Sequence, residues 1–168
     1  MASFQSTVNF RFTGGVPGEK ATDAPSRTTP WRLSAQTAQP NYFGYGYTYS
    51  ADSAVTNGSQ GAHVAAIGGT GAFAGILVNP KAHVLYGANG DPLAPALFLP
   101  AGSEAELATK GDYFVNFSTA VTYGDAVYFD QTTGALFNAT GAGRTLIPNA
   151  IVQMTTGAAG VSIVSLNQ

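Results

Sequence analysis

Apolar positions along this chain recur in short runs separated by turn residues, not at helical spacing. The runs His63–Ile67, Phe73–Val78, His83–Tyr86, Leu93–Leu99, Tyr113–Phe117, Ala126–Phe129, Leu146–Met154 and Val161–Leu166 are of strand length and lie between turn signals. This spacing predicts an all-β fold, a β-sandwich or barrel of jelly-roll-like type. The strongest alternation is Tyr42-Phe43-Gly44-Tyr45-Gly46-Tyr47-Thr48-Tyr49. Period 2 puts Phe43, Tyr45, Tyr47 and Tyr49 on one face and Gly44, Gly46 and Thr48 on the other. A nearly bare face lets a second backbone approach closely, and tyrosine joins apolar area to a polar tip, so this strand is expected at a seam.

Turn chemistry sharpens two further segments. In Gly124–Leu136, Asp130 is placed to open a tight turn and Gly134 to supply the positive φ that closes it, which predicts a hairpin. Ser103-Glu104-Ala105-Glu106 matches a helix capping box ahead of Gly111. A helix of two turns is marginal without a packed apolar face, and the segment leads directly into Tyr113–Phe117, so strand or irregular structure is favoured there.

The N-terminal stretch is different. Gly14-Gly15, Pro17-Gly18, Pro25, Pro30 and Pro40 disfavour a helix and any long paired strand. The expectation is an extended arm over residues 1–40 ahead of a β-domain over residues 41–168. Arg27, Trp31 and Arg32 in this stretch are of the residue types that concentrate binding energy at interfaces. Together with Tyr42, Tyr45, Tyr47 and Tyr49 they form the candidate interface set. The alternative for Trp31 is that it folds back on its own domain.

Composition turns this pattern toward assembly. The 168 residues carry 7 Lys and Arg and 9 Asp and Glu, 10% of the chain, against about 25% in ordinary soluble domains. A folded monomer of this mass exposes roughly 7,800 Å², so uncharged patches large enough to favour association are hard to avoid. A net charge of −2 provides no basic field for nucleic acid or an anionic membrane, and neither partner is expected. No run reaches the roughly 20 apolar residues needed to span a bilayer. There is no Cys, which excludes disulfides, thiolate nucleophiles and cysteine metal sites.

Chemistry-bearing motifs are absent or poorly supported. His63-Val64-Ala65-Ala66-Ile67-Gly68-Gly69-Thr70-Gly71 reads like a strand entering a dinucleotide-binding turn, but Gly75, Ile76, Val78 and Pro80 spoil the helix that would have to follow. His63 and His83 lie in no ligand or catalytic pattern, and Asp91, Asp125 and Asp130 sit in turn contexts. Asn57-Gly58-Ser59-Gln60-Gly61 has the wrong spacing for a nucleophile elbow. No catalytic, cofactor or metal site is expected, and the chain is read as a non-enzyme.

Four segments in order, Gly75-Ile76-Leu77-Val78-Asn79-Pro80-Lys81, Ala105-Glu106-Leu107-Ala108-Thr109-Lys110-Gly111, Gly124-Asp125-Ala126-Val127-Tyr128 and Thr132-Thr133-Gly134-Ala135-Leu136, resemble phage capsid cement (decoration) proteins. Pro17-Gly18 and Pro25-Ser26-Arg27 are similar to the arm ahead of the β-domain in that family, so the resemblance covers nearly the whole chain. It implies a virion protein on the outer capsid surface, made in the host cytoplasm. Its implied role is to bridge adjacent major capsid protein subunits and so stabilise the shell, with no catalytic residues. The implied partners are the major capsid protein and further copies of itself, a homotrimer ahead of a dimer. The alternative is a receptor- or carbohydrate-binding β-module of a phage tail or spike.

Overall fold

The computed structural model describes residues 15–34, 40–52, 63–82 and 98–168. Among these residues there are eleven strands and no α-helix: β1 Arg27–Leu33, β2 Asn41–Tyr42, β3 Gly46–Asp52, β4 His63–Ile67, β5 Phe73–Leu77, β6 Phe98–Leu99, β7 Glu104–Phe117, β8 Ala126–Asp130, β9 Leu136–Phe137, β10 Arg144–Val152 and β11 Gly160–Asn167. One 3-10 turn spans Pro80–Ala82. The all-β expectation holds, and of the two architectures foreseen the chain adopts the barrel.

Nine strands hydrogen-bond in the order β1-β4-β3-β5-β7-β11-β10-β8-β9, and β7 also pairs with β1 and with β9. Those two extra pairings close two barrels that share β7. The first contains β1, β4, β3, β5 and β7; the second contains β7, β11, β10, β8 and β9. Each barrel includes one parallel pair, β1 with β4 in the first and β7 with β9 in the second. Closure removes the long exposed edges that would otherwise template pairing with other chains.

Residue choice along β7 explains how one strand serves two cores. Its 14 residues alternate except at Leu107-Ala108, both fully buried, and the following Thr109-Lys110, neither of them buried. Ala105 and Leu107 belong to the first core, with Leu33, Tyr47, Ile67 and Leu77. Ala108, Tyr113, Val115 and Phe117 belong to the second, with Val127, Phe129, Ile147 and Val164. On β5 the same crossover falls at Ile76 and Leu77, which lie opposite Ala108 and Leu107. The β5–β7 patch is therefore a wall with a core on each side. Each large side chain fully buried in either core contributes about 1.5–3 kcal/mol relative to exposure.

The expected arm needs correction in its C-terminal half. Arg27–Leu33 is a strand of the first barrel, antiparallel to β7 from Arg27 opposite Lys110 to Arg32 opposite Glu104, and parallel to β4 at Arg32 and Leu33. Gly18 donates to Phe114 O, Phe114 N to Glu19 O, and Ala21 N to Asp112 O, so the preceding turn also runs along β7. Pro30 is tolerated because β4 joins only from Arg32, which leaves β1 with one neighbour at the proline. Residues 1–14 lie outside the described residues, as do the expected run His83–Tyr86 and most of Leu93–Leu99.

Two other expectations are resolved. Glu104–Lys110 is strand, the first half of β7. The hairpin turn forms as foreseen: Asp130 Oδ1 accepts from Thr132 N at 2.9 Å, Thr133 N at 2.8 Å and Thr133 Oγ1 at 3.0 Å. Gly134, at φ 72°, donates its N–H to Asp130 O at 2.8 Å.

Candidate functional site

The Tyr-rich segment is not one strand. Gly44, at φ 75°, breaks it between β2 and β3, and the tyrosines diverge. Tyr47 is completely buried in the first core, and its hydroxyl donates to Tyr42 O at 3.2 Å. Burial pushes that hydroxyl well above the usual tyrosine value, with Tyr45 adding to the shift. The candidate interface set therefore loses Tyr47, whose period-2 position pointed into the barrel and not toward a partner. The bare face does meet another backbone, but within the chain. Gly46 N donates to Gly134 O at 2.9 Å, and a Cβ on Gly46 would stand 2.9 Å from Phe129 Cβ. The expected seam is thus the junction of the two barrels.

The remaining six candidates occupy three surroundings. Trp31 and Tyr49 meet in T-shaped geometry with centroids 6.2 Å apart, and His63 lies 5.2 Å from Trp31 and 6.4 Å from Tyr49. Trp31 packs against the first core while Tyr49 and His63 are exposed, so this trio forms a surface cluster beside that core. Trp31 Nε1 is buried there without a hydrogen-bond partner. Arg32, next along β1, is exposed. Tyr42 and Tyr45 form a second cluster, 5.2 Å apart, with Phe98 6.4 Å from Tyr42. Burial, and then Tyr42, raise the Tyr45 pKa. Arg27 is held by its own chain, its Nε donating to Thr109 Oγ1 at 3.1 Å and its Nη2 to Gln168 O at 3.0 Å.

Sequence reasoning missed the outer face of the second barrel. Two outward pairs there are apolar with apolar, Phe114 opposite Ile163 and Leu146 opposite Tyr128, among mixed or polar ones such as Val161 opposite Asn116 and Ser165 opposite Asp112. Leu146 and Ile151 are 48% and 40% exposed. Their signal was present in β10 and β11, where both alternating registers are largely apolar, as in Leu146-Ile147 and Val161-Ser162-Ile163-Val164. A surface cleft of about 330 Å³ adjoins this face, lined by residues including Pro25, Asn149, Ile151 and Leu166.

Around these surfaces the polar groups are used locally. Asp125 is held below the usual carboxylate range by the Asn138 amide and then by Thr122 N–H. The Arg144 guanidinium sits 3.5 Å over the Phe137 ring, a cation–π contact that occupies a charge at the rim of the face. The glycine run after β4 carries the chain across to β5 on the other side of β3; Gly68 N donates to Gly46 O and Gly69 N to Gln131 O, so neither amide is free for a phosphate. Among the described residues no group of three or more His, Cys, Asp or Glu side chains is arranged to hold a metal ion. The arrangement is suited to surface contact.

Comparison with known proteins agrees in kind. The family model described as "Structural cement protein (E217 gp24/Pam3 gp6)" matches residues 4–167. Among solved structures, a chain of the capsid of Myoviridae phage XM1 is similar at a TM-score of 0.65 and 17% identity, with 99% of each chain covered. At that identity the likeness is one of fold. None of the curated proteins matches.

Proposed function

Because this chain belongs to the phage structural cement protein family, we propose that it binds the outer surface of an icosahedral capsid and bridges adjacent major capsid protein subunits. The observation that carries this reading is the family match across residues 4–167. Two features of the molecule support it. Closed barrels make a rigid body with little edge to misassociate. A chain only 10% charged presents neutral adhesive surface that neighbours can cover at small desolvation cost.

In this reading Trp31 with Tyr49 form one contact patch, Tyr42 with Tyr45 another, and exposed Arg32, on the opposite face of β1 from Trp31, a separate point of contact. β1, Arg27–Leu33, belongs to the body in this reading and not to an arm. Self-association into a closed oligomer, a trimer ahead of a dimer, multiplies weak contacts over symmetric copies. The protein would be made in the host cytoplasm and incorporated into the virion.

The test compares particles assembled with and without the protein. Purified particles should carry it in hundreds of copies, and particles lacking it should release their genome at lower temperature. Its absence from purified particles, or equal heat resistance without it, overturns the proposal.

A further inference from the structure

Phe114, Ile163, Ile151, Tyr128 and Leu146 form a diagonal apolar stripe across the outer face of β7, β11, β10 and β8, bordered by Asp112, Asn116 and Ser165. The solvent side of a barrel strand is ordinarily polar, and contiguous apolar surface marks an interaction site. Leu146 and Ile151 are exposed on this face among the described residues.

We propose that residues 4–12 of a second copy of this chain cover that face. The inference rests on the cement reading, in which copies stand side by side. Three observations select this occupant. Phe4, Val8, Phe10 and Phe12 alternate with Gln5, Thr7, Asn9 and Arg11, so the segment in extended form offers one apolar and one polar face. The chain enters the described body at Gly15, packed so closely on Phe114 that a Cβ there would stand 2.1 Å from Phe114 Cδ2. The segment therefore departs from the rim of the same face that it is proposed to cover on a neighbour, within a reach of about 46 Å for 14 extended residues. The cleft of about 330 Å³ beside Ile151 offers a seat for one of its rings, and Asp112, which lines the same cleft, complements Arg11.

The absence of cysteine permits a clean test. One population carries Phe10→Cys alone and another Ile151→Cys alone. They are mixed under oxidising conditions, both as concentrated purified protein and on decorated particles, and analysed on non-reducing gels. The expected product is a disulfide-linked pair containing one chain of each kind, at least fivefold more abundant than with Ala101→Cys, on an exposed turn beside the first barrel, as the second population. No enrichment in either setting overturns the inference, as does a double variant that closes only within one chain. Normal particle occupancy alongside a failed cross-link would refute the exchange of segments and leave the cement reading standing, whereas lost occupancy of the unmodified protein would refute the latter.

Discussion

Asp130 shows how much a single side chain can organise. Burial, the largest influence on its carboxyl, pushes the pKa up, but the Thr133 and Thr132 N–H groups, the Thr133 hydroxyl and Arg144 together hold it below the usual value. A depressed carboxylate stabilises the fold at pH above its unfolded value of about 3.9 and loses that contribution as pH falls through the lower folded value. Asp130→Ala removes these hydrogen bonds and, with solvent screening at this partly exposed turn, should cost about 0.5–1.5 kcal/mol at pH 7. The gap between variant and wild type in denaturant melts should narrow as the pH is taken from about 5 to about 2. A gap independent of pH would mean that the carboxylate does not hold the turn. Gly75 imposes a steric constraint instead: at φ 146°, a Cβ would lie 2.7 Å from Ala108 O and 2.9 Å from Leu107 Cβ, inside the wall between the cores. Gly75→Ala should lower stability by more than about 2 kcal/mol, and a thermal midpoint unchanged from wild type would contradict that packing.

At the scale of elements, β7 couples the barrels. Leu107→Ala removes a fully buried side chain on the shared wall and should cost about 2–5 kcal/mol. Trp31, the only tryptophan, reports the first barrel, while far-UV circular dichroism reports both. The two midpoints should shift together, and separated transitions would show the barrels melting independently. This coupling also explains what the sequence made legible. β4, β8 and β11 were readable because each carries one buried face bounded by turn residues, and the Asp130–Gly134 turn because its chemistry is local. β1 was not, since Pro30 argues against a strand until one knows that only β7 neighbours it there. The first half of β7 was ambiguous because Ser103-Glu104-Ala105-Glu106 matches a helix capping box, and the adjacent burial of Leu107 and Ala108, a consequence of the second core, interrupts the alternation that would have marked a strand. The same limit misplaced Tyr47: periodicity groups residues by face but does not say which face is the core.

For the whole molecule, the scarcity of charge sets how it should bind. Docking governed by ion pairs weakens steeply as salt shortens the Debye length from about 10 Å at 0.1 M to about 3 Å at 1 M. This chain has 16 charged side chains in all, several already engaged internally: Arg27 with Gln168 O, Arg144 over Phe137 and Asp130 within its turn. Among the described residues the rest of the surface is mostly uncharged, with Val16, Tyr49, Tyr123, Leu146 and Ile151 as its exposed large apolar side chains. Capsid occupancy should therefore change less than about threefold between 0.1 M and 1 M NaCl, and calorimetry of binding should show a negative heat-capacity change, the mark of buried apolar area. A tenfold or greater loss of occupancy over that range would transfer the binding energy to the few remaining charges, with exposed Arg32 the first to examine by Arg32→Ala. The two measurements together discriminate, because screening acts on charge alone while the heat capacity responds to apolar burial whatever the salt.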